Sequence, residues 1–317
     1  MGALIAGWRL KAVVWSVAVA AVGYLAFSLW GGWREVLAAV GQVGLGGVVI
    51  VLLLSMTNYC LRFLRWQAYL RALGTRVPTV ESFRIYLAGF ALTTTPGKAG
   101  EALRGIFLKP YGLSYTQSIA AFLSERISDL IAIVLLVLMG LSAYPQGRGW
   151  VVFAGIAIVG FLFAISREGL LKAVQRATSA SKGWCRALHH VFHLLLEARR
   201  CHNPKLLLSA TALSVTAWSA EAFAFHLLMV WLNCPVDLSQ AFFIYAFSML
   251  VGALSFLPGG LGGTEVVMMG LLIAAGTPPA EAVAATVLIR LATLWLAVGL
   301  GIVALLRSQT TLKESDG

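Results

Sequence analysis

The sequence contains an internal repeat, and this repeat limits the possible folds more than any other feature. Residues 91–101 return as residues 253–265 with two residues inserted, and both copies carry a Pro-Gly pair and a glutamate. After the insertion the register stays constant, so that Arg126 in the first copy matches Arg290 in the second. Repeats interrupted by Pro and Gly, with a charge inside apolar sequence, are typical of membrane transporter cores.

The composition indicates a membrane protein with several crossings. The chain has 59% hydrophobic and 12% charged residues, whereas soluble proteins carry about 25% charged residues. The net charge of +11, from 24 basic and 13 acidic residues, could suggest a nucleic-acid partner. The hydropathy argues against that partner, because basic residues beside transmembrane helices set orientation and attract anionic lipid.

Six segments are long and apolar enough to cross a bilayer, which needs about 20 apolar residues per helix. They are residues 13–30, 45–66, 115–143, 150–165, 206–232 and 279–306. We therefore predict an all-α polytopic membrane protein with six full transmembrane helices, forming a single integral membrane domain over residues 1–317.

Two further apolar segments, 83–95 and 239–257, are too short or too interrupted to count as simple crossings. Each runs into a Pro-Gly break and is followed by a second short helix. Proline removes a backbone donor and glycine permits positive φ, so each break predicts a sharp turn. A break at membrane depth requires protein or water around it, which favours two re-entrant helical hairpins. The predicted turn residues are Pro96, Gly97, Gly100, Pro258, Gly259, Gly260, Gly262 and Gly263.

The distribution of positive charge predicts that both termini are cytoplasmic. With the hairpins re-entrant, most of the 24 basic residues fall on cytoplasmic segments, among them Arg62, Arg65 and Arg104. An odd number of crossings separates repeat 1 (about 83–143) from repeat 2 (about 239–307), so the two hairpins should have opposite orientations. The basic residues 166–205 between the repeats predict amphipathic helices on the cytoplasmic membrane surface. A substrate site is expected near the midplane, between the repeats.

Arg126 and Arg290 lie deep inside their apolar segments, where each costs about 2.5–3.5 kcal/mol. Acidic residues in or beside apolar sequence can offset this cost, and the candidates are Glu101, Glu125, Asp129, Glu221 and Glu265. One interpretation is a set of buried salt bridges that only holds the helices together. The other is that both guanidinium groups grip a phosphate in a central cavity, helped by Lys98 and by the helix N-termini after the turns. Glu221 either pairs with an arginine or carries a proton that couples transport.

No cofactor or metal is expected. Cys185, His189 and His193 share one helical face, but their spacing is loose and no fourth ligand is fixed. A basic amphipathic face is the preferred interpretation. The sequence has no nucleotide-binding loop, nucleophile elbow or HExxH motif, so ATP-driven transport by this chain alone is not expected.

Residues 86–108 followed by 123–130, and the second Pro-Gly motif over 254–265, resemble the transmembrane domain of lysylphosphatidylglycerol synthases and related stand-alone flippase-like proteins. In the synthases this domain is thought to move an aminoacylated lipid between leaflets, while a separate soluble domain makes that lipid. The resemblance implies a lipid role for Arg126, Glu221 and the two Pro-Gly turns. Since the chain stops at Gly317 without the soluble domain, lysyl transfer is not expected.

These observations predict a lipid flippase of the bacterial inner membrane that moves a phospholipid or other envelope lipid, with or without phosphate, through a central polar cavity. It is not expected to be an enzyme. Two alternatives stay open, an intramembrane lipid-modifying enzyme and a non-catalytic subunit that docks biosynthetic enzymes through residues 166–205. The expected partners are membrane lipids, with envelope-lipid biosynthetic enzymes and a second copy of the chain as further candidates.

Overall fold

The computed structural model describes residues 33–94, 104–140, 198–255 and 257–315. It also describes the isolated positions Gly23, Gly149, Phe153, Ile156, Gly160 and Leu196. Within these residues the chain is helical or in turns and contains no β-strand, which confirms the all-α prediction. Apart from those isolated positions, the predicted crossings 13–30 and 150–165 and most of the connector 166–205 lie outside the described residues.

The described residues form the following helices, given in chain order. They are α1 (Trp33–Ala72), α2 (Thr79–Phe90), α3 (Arg104–Leu108), α4 (Tyr115–Met139), α5 (Pro204–Trp231), α6 (Leu238–Leu254), α7 (Gly263–Ala274), α8 (Pro279–Arg290) and α9 (Leu296–Ser315). Short 3₁₀ turns occupy Lys109–Tyr111, Arg199–His202 and Pro258–Gly260, and a π-helical segment occupies Leu291–Trp295.

Three helical stretches of the described chain are long and apolar enough to cross a membrane, namely Trp33–Ala72, Pro204–Trp231 and Pro279–Arg307. Helix α4 has 25 residues, about 37 Å at 1.5 Å per residue, but it carries three charged side chains. The number of crossings and the cytoplasmic termini stay predictions.

The helices begin where the sequence provides caps. Ser114 accepts from the Gln117 backbone and the Gln117 side chain accepts from Ser114 in return, forming a capping box at the start of α4. Asp237 and Gln240 form the same arrangement before α6. Asn203 caps α5, whose first residue is a proline.

The sequence repeat is also a repeat of local structure. Gly112 ends the first hairpin with φ of 83°, and Gly276 at the matching position ends the second with φ of 91°. Three residues later α4 begins at Tyr115 and α8 at Pro279, again at matching positions. The left-handed conformation explains the glycine at both places.

The two repeats exchange packing partners. Helix α6 of repeat 2 packs against α4 of repeat 1, and α2 of repeat 1 packs against α9 of repeat 2. Glycines permit both approaches: a Cβ on Gly140 would lie 2.8 Å from the Phe243 nitrogen, and one on Gly301 would lie 2.1 Å from the Ala91 nitrogen. The first helix of each repeat (α2 or α6) therefore packs against a long helix of the other repeat (α9 or α4).

Helix α1 packs along α5 and extends beyond the predicted segment 45–66 in both directions. It bends at Gly44, where φ of 69° and ψ of 167° interrupt the helix, so the predicted start coincides with a real break. Near its other end the buried aromatic rings of Tyr59, Phe63 and Trp66 meet Tyr86 and Phe90 of α2.

The predicted segment 279–306 corresponds to the helical stretch Pro279–Arg307, which is long and apolar enough to cross a membrane, but it is not one regular α-helix. Directly after Arg290 the backbone widens into the π segment Leu291–Trp295 before α9 begins. The matching part of α4 stays α-helical. Hydropathy cannot distinguish a π segment from an α-helix, since both are helical and apolar. The first hairpin helix also differs from the predicted 83–95, because α2 begins at Thr79 and ends at Phe90.

Three arginines that the sequence assigned to cytoplasmic segments are buried inside the protein. Arg62, Arg65 and Arg104 are only 7%, 0% and 4% exposed. Their guanidinium groups lie inside the protein against carboxylates. They therefore belong to an interior charge network, and the side of the membrane on which they lie stays a prediction.

Candidate functional site

A cavity of about 310 Å³ lies between the two repeats. Helices α1, α4 and α5 contribute one part of its wall, and α6, the turn at Pro258–Gly260 and the π segment contribute another. Its charged lining residues are Arg62, Arg126, Asp129, Glu221 and Arg290. The volume is at the lower end of ligand pockets, about 300–1,000 Å³.

Asp129 is the centre of the charges on the α4 side. One of its oxygens accepts from Arg65 Nη1 at 2.7 Å and from Trp218 Nε1 at 3.1 Å. The other oxygen lies 3.2 Å from Arg62 Nη2 and 3.3 Å from Arg126 Nη2. Three arginines thus share one carboxylate, and Arg126 is the most exposed of them, with 24% of its side chain accessible.

A second ionic contact ties the first hairpin to α4. Arg104 of α3 donates to Glu125 at 2.6 Å, and Glu125 lies 3.9 Å from Arg65. The Arg104 guanidinium stands over the Trp66 and Tyr86 rings at 5.3 and 5.2 Å. A buried charge is tolerated only when it has partners. The ion pair of Arg104 with Glu125 therefore holds α3 against α4, and other residues of α4 line the cavity.

The second Pro-Gly turn is held by a closed set of contacts around Arg290. Arg290 Nε donates to Glu265 Oε1 at 2.6 Å, and Nη2 donates to the Gly259 carbonyl at 2.8 Å. The other Glu265 oxygen accepts from the Gly262 backbone at 2.7 Å and caps α7. The predicted sharp turn is confirmed here, with φ of 63°, 69° and 85° at Gly259, Gly260 and Gly262.

Glu221 faces the cavity from the middle of α5. It accepts a hydrogen bond from the Tyr245 hydroxyl at 2.6 Å and is 4% exposed. Nearby, the Tyr59 hydroxyl donates to the Thr293 carbonyl of the π segment. Pairing with an arginine and proton carriage both stay predictions for Glu221.

The structure places the predicted residues in three groups. Arg126, Asp129, Glu221, Arg290, Gly259 and Gly260 line the cavity. Glu125 and Glu265 hold ion pairs behind it, and Pro258, Gly262 and Gly263 belong to the second turn and the start of α7. Pro96, Gly97, Lys98, Gly100 and Glu101 lie outside the described residues.

The sequence analysis missed Arg62, Arg65, Arg104 and Trp218 as parts of this site. Arg62 and Arg65 are three residues apart near the end of an apolar segment, a spacing that places both on one helical face. That spacing is a usable signal for a shared partner inside the protein. Hydropathy alone instead predicts that both arginines flank the end of a transmembrane segment. Across the part of the chain that is described, His, Cys, Asp and Glu form no group able to hold a metal. Cys185, His189 and His193 fall outside that part.

Comparison with known proteins identifies the family. A family model described as the lysylphosphatidylglycerol synthase TM region matches residues 13–301. The chain belongs to this family. It is therefore an integral membrane protein, as the apolar helices also indicate.

Among similar proteins, a UPF0104 membrane protein of Pyrococcus horikoshii is 26% identical over 298 residues, which cover 84% of this chain and 89% of the relative. A UPF0104 membrane protein of Methanothermobacter thermautotrophicus is 25% identical over 284 residues, which cover 81% of this chain and 84% of that relative. The likeness runs over most of each chain.

Proposed function

We propose that this protein moves an envelope lipid between the leaflets of the bacterial inner membrane by passing its headgroup through the cavity between the repeats. The observation that carries the proposal is the position of Arg62, Arg126, Asp129, Glu221 and Arg290 around one cavity enclosed by apolar helices. A polar headgroup that crosses hydrocarbon without partners faces a cost of several kcal/mol. Polar side chains along the path lower that cost.

The exchanged packing of the repeats supports a transport cycle. Helix α2 packs against α9 of the second repeat, and α6 packs against α4 of the first repeat. A shift of α2 or α6 would therefore move a helix of the other repeat and change the shape of the cavity wall. Opposite orientation of the hairpins would expose the cavity to one leaflet at a time, as in other inverted-repeat transporters. Chemistry on the lipid is not part of the proposal.

Reconstitution in vesicles tests the proposal. The full chain is placed in vesicles that contain phosphatidylglycerol with a fluorescent headgroup-side label, and a membrane-impermeant reductant reports the label in the outer leaflet. We expect inner-leaflet lipid to become reducible in vesicles with protein and to stay protected in empty vesicles. Arg126→Gln should slow movement roughly tenfold, since a lost charged hydrogen bond costs about 1.5–3 kcal/mol.

Arg84→Gln is the matched control. Arg84 pairs with Glu81 at 3.6 Å on the surface, and 52% of its side chain is exposed, so movement should not change. Movement no faster than in empty vesicles, for each envelope lipid offered, would contradict the proposal.

Mass spectrometry of the same vesicles separates transport from an enzymatic role, which would leave chemically altered lipid. Neutralising the basic residues of 166–205 distinguishes transport from an accessory role. In an accessory role this change abolishes function, whereas Arg126→Gln leaves function intact.

A further inference from the structure

The π segment Leu291–Trp295 interrupts the long helical stretch of repeat 2 directly beside the cavity. Thr293 and Leu294 of this segment line the cavity. The Leu296 N–H donates to the Leu291 carbonyl, five residues back, whereas an α-helix bonds four residues back. Segments of this kind kink helices and occur frequently at functional sites. The position of the segment therefore suits a hinge that acts on the cavity.

Two side chains add hydrogen bonds to the backbone of this region. Thr293 Oγ1 donates to the Ile289 carbonyl at 2.7 Å, and a threonine bond to the carbonyl four residues back often bends a helix. The Tyr59 hydroxyl of α1 donates to the Thr293 carbonyl. Because these are single side-chain bonds, they can break and form again without unfolding the helices on either side.

The helices on the two sides of the π segment have different packing partners. Helix α8, which precedes it, packs against α1 and α7. Arg290 at the end of α8 is fixed to Glu265 at 2.6 Å and to the Gly259 carbonyl at 2.8 Å. Helix α9, which follows it, has α2 as its main partner among the described elements. The segment therefore joins two groups of helices, α8 with the second turn and α9 with α2.

The pair formed by α2 and α9 makes one wall of the cavity. Phe90 at the end of α2, Thr93 just after it and Ala297 of α9 all line the cavity. Tyr59 lines it too, and its ring lies 5.2 Å from the Phe90 ring between centroids. A rotation of this pair about the π segment would therefore widen or narrow the cavity, and Tyr59 contacts both the segment and the wall that would move.

We propose that α2 and α9 move together as one wall of the cavity, with Leu291–Trp295 as the hinge and the Tyr59 hydrogen bond as a latch that holds the observed arrangement. Hinges in proteins are a few residues that absorb the whole change, and one hydrogen bond is weak enough to be a reversible latch. The matching part of α4 is α-helical, so the hinge belongs to the second repeat. This inference rests on the proposed function, whose cycle requires the cavity to change shape, and it names the part that moves.

Distances between spin labels test the hinge in the full chain reconstituted in phosphatidylglycerol vesicles. Cysteines replace Val303 of α9 and Met139 at the end of α4, both exposed, in a background without the native cysteines. The matched control pair is Met139 with the exposed Leu208 of α5, because α4 and α5 pack against each other. We expect two populations of distances for Val303–Met139 and one narrow population for the control. A Val303–Met139 distribution as narrow as the control would overturn the hinge.

Variants identify the latch and the hinge residues. Tyr59→Phe removes the hydroxyl and keeps the ring, so it should raise the second population roughly two- to tenfold. Tyr115→Phe, at an exposed tyrosine, should leave the distances unchanged. Deletion of the exposed Leu291 removes the extra residue of the π segment and should give one continuous α-helix with a single narrow population. If the deletion does not fold, Tyr59→Phe still decides the question, because unchanged populations in that variant would overturn the latch.

The lipid-movement assay distinguishes this inference from the proposed function. Two populations of distances without lipid movement contradict the transport function and leave the hinge intact. Lipid movement by a protein with one narrow Val303–Met139 population keeps the transport function and overturns the hinge.

Discussion

Arg126 and Arg290 occupy matching positions in the repeat but have taken different surroundings. Arg290 is 2% exposed and joins Glu265 to the Gly259 carbonyl, which stabilises a turn. Arg126 contacts Asp129 three residues later on the same helix and retains 24% side-chain exposure. At the residue scale, the matching positions therefore differ in burial, and Arg290 is the more deeply buried of the two.

Asp129→Asn should be among the most damaging single changes in the described chain. It would leave Arg62, Arg65 and Arg126 close together without their shared charge, and breaking a buried ion pair in this way costs about 3–5 kcal/mol. Thermal unfolding in detergent should show a Tm lowered by several degrees. Glu81→Gln, at a surface pair with Arg84, should cost about 0–1 kcal/mol. If both variants unfold at the same temperature, Asp129 does not have this role.

Glu265 and Arg290 should be energetically coupled. Glu265→Gln keeps an acceptor for the Gly262 backbone but removes the charge facing Arg290, and Arg290→Gln leaves Glu265 buried without its cation. The double variant should therefore be more stable than the sum of the single changes predicts, by about 0.5–3 kcal/mol. Chemical denaturation of all four proteins measures this coupling. Strictly additive changes would argue that the pair contributes little to the turn.

At the scale of helices, the contact between α2 and α9 depends on one glycine. A Cβ on Gly301 would lie 2.1 Å from the Ala91 nitrogen, whereas one on Gly299 of the same helix meets nothing within 4 Å. Gly301→Ala should push the helices apart and cost about 1–3 kcal/mol. Gly299→Ala should stabilise α9 by about 0.5–1 kcal/mol, because alanine is the better helix former. Unfolding temperatures of the two variants should move in opposite directions, and a shift of both in one direction would contradict the packing described.

The helices themselves were largely predictable from apolar length and caps. The predicted 206–232 corresponds to α5 (Pro204–Trp231) and the predicted start at Tyr115 is that of α4. The π segment and the pairing of Arg104 with Glu125 were not predictable, because both depend on how helices meet in three dimensions. Arg62 and Arg65 show the same limit: hydropathy places them at the end of a segment, and only packing shows that α4 receives them.

For the whole molecule, the reciprocal contacts of the repeats predict how the chain lies in the membrane. If the hairpins have opposite orientations, the matching first residues of α4 and α8, Tyr115 and Pro279, should face opposite sides. Single cysteines at these exposed positions, in a background from which Cys60, Cys185, Cys201 and Cys234 have been replaced, can be labelled with an impermeant maleimide. We expect one position to react in intact cells and the other only after the membrane is opened.

Labelling of both positions from one side would place the two repeats in parallel. The cavity could not then open alternately to the two leaflets through opposed hairpins, even though Arg62, Arg126 and Asp129 would still line it. The topology test is therefore independent of the spin-label test. The relative orientation of the repeats decides whether a headgroup that enters the cavity, as proposed, can leave on the other side.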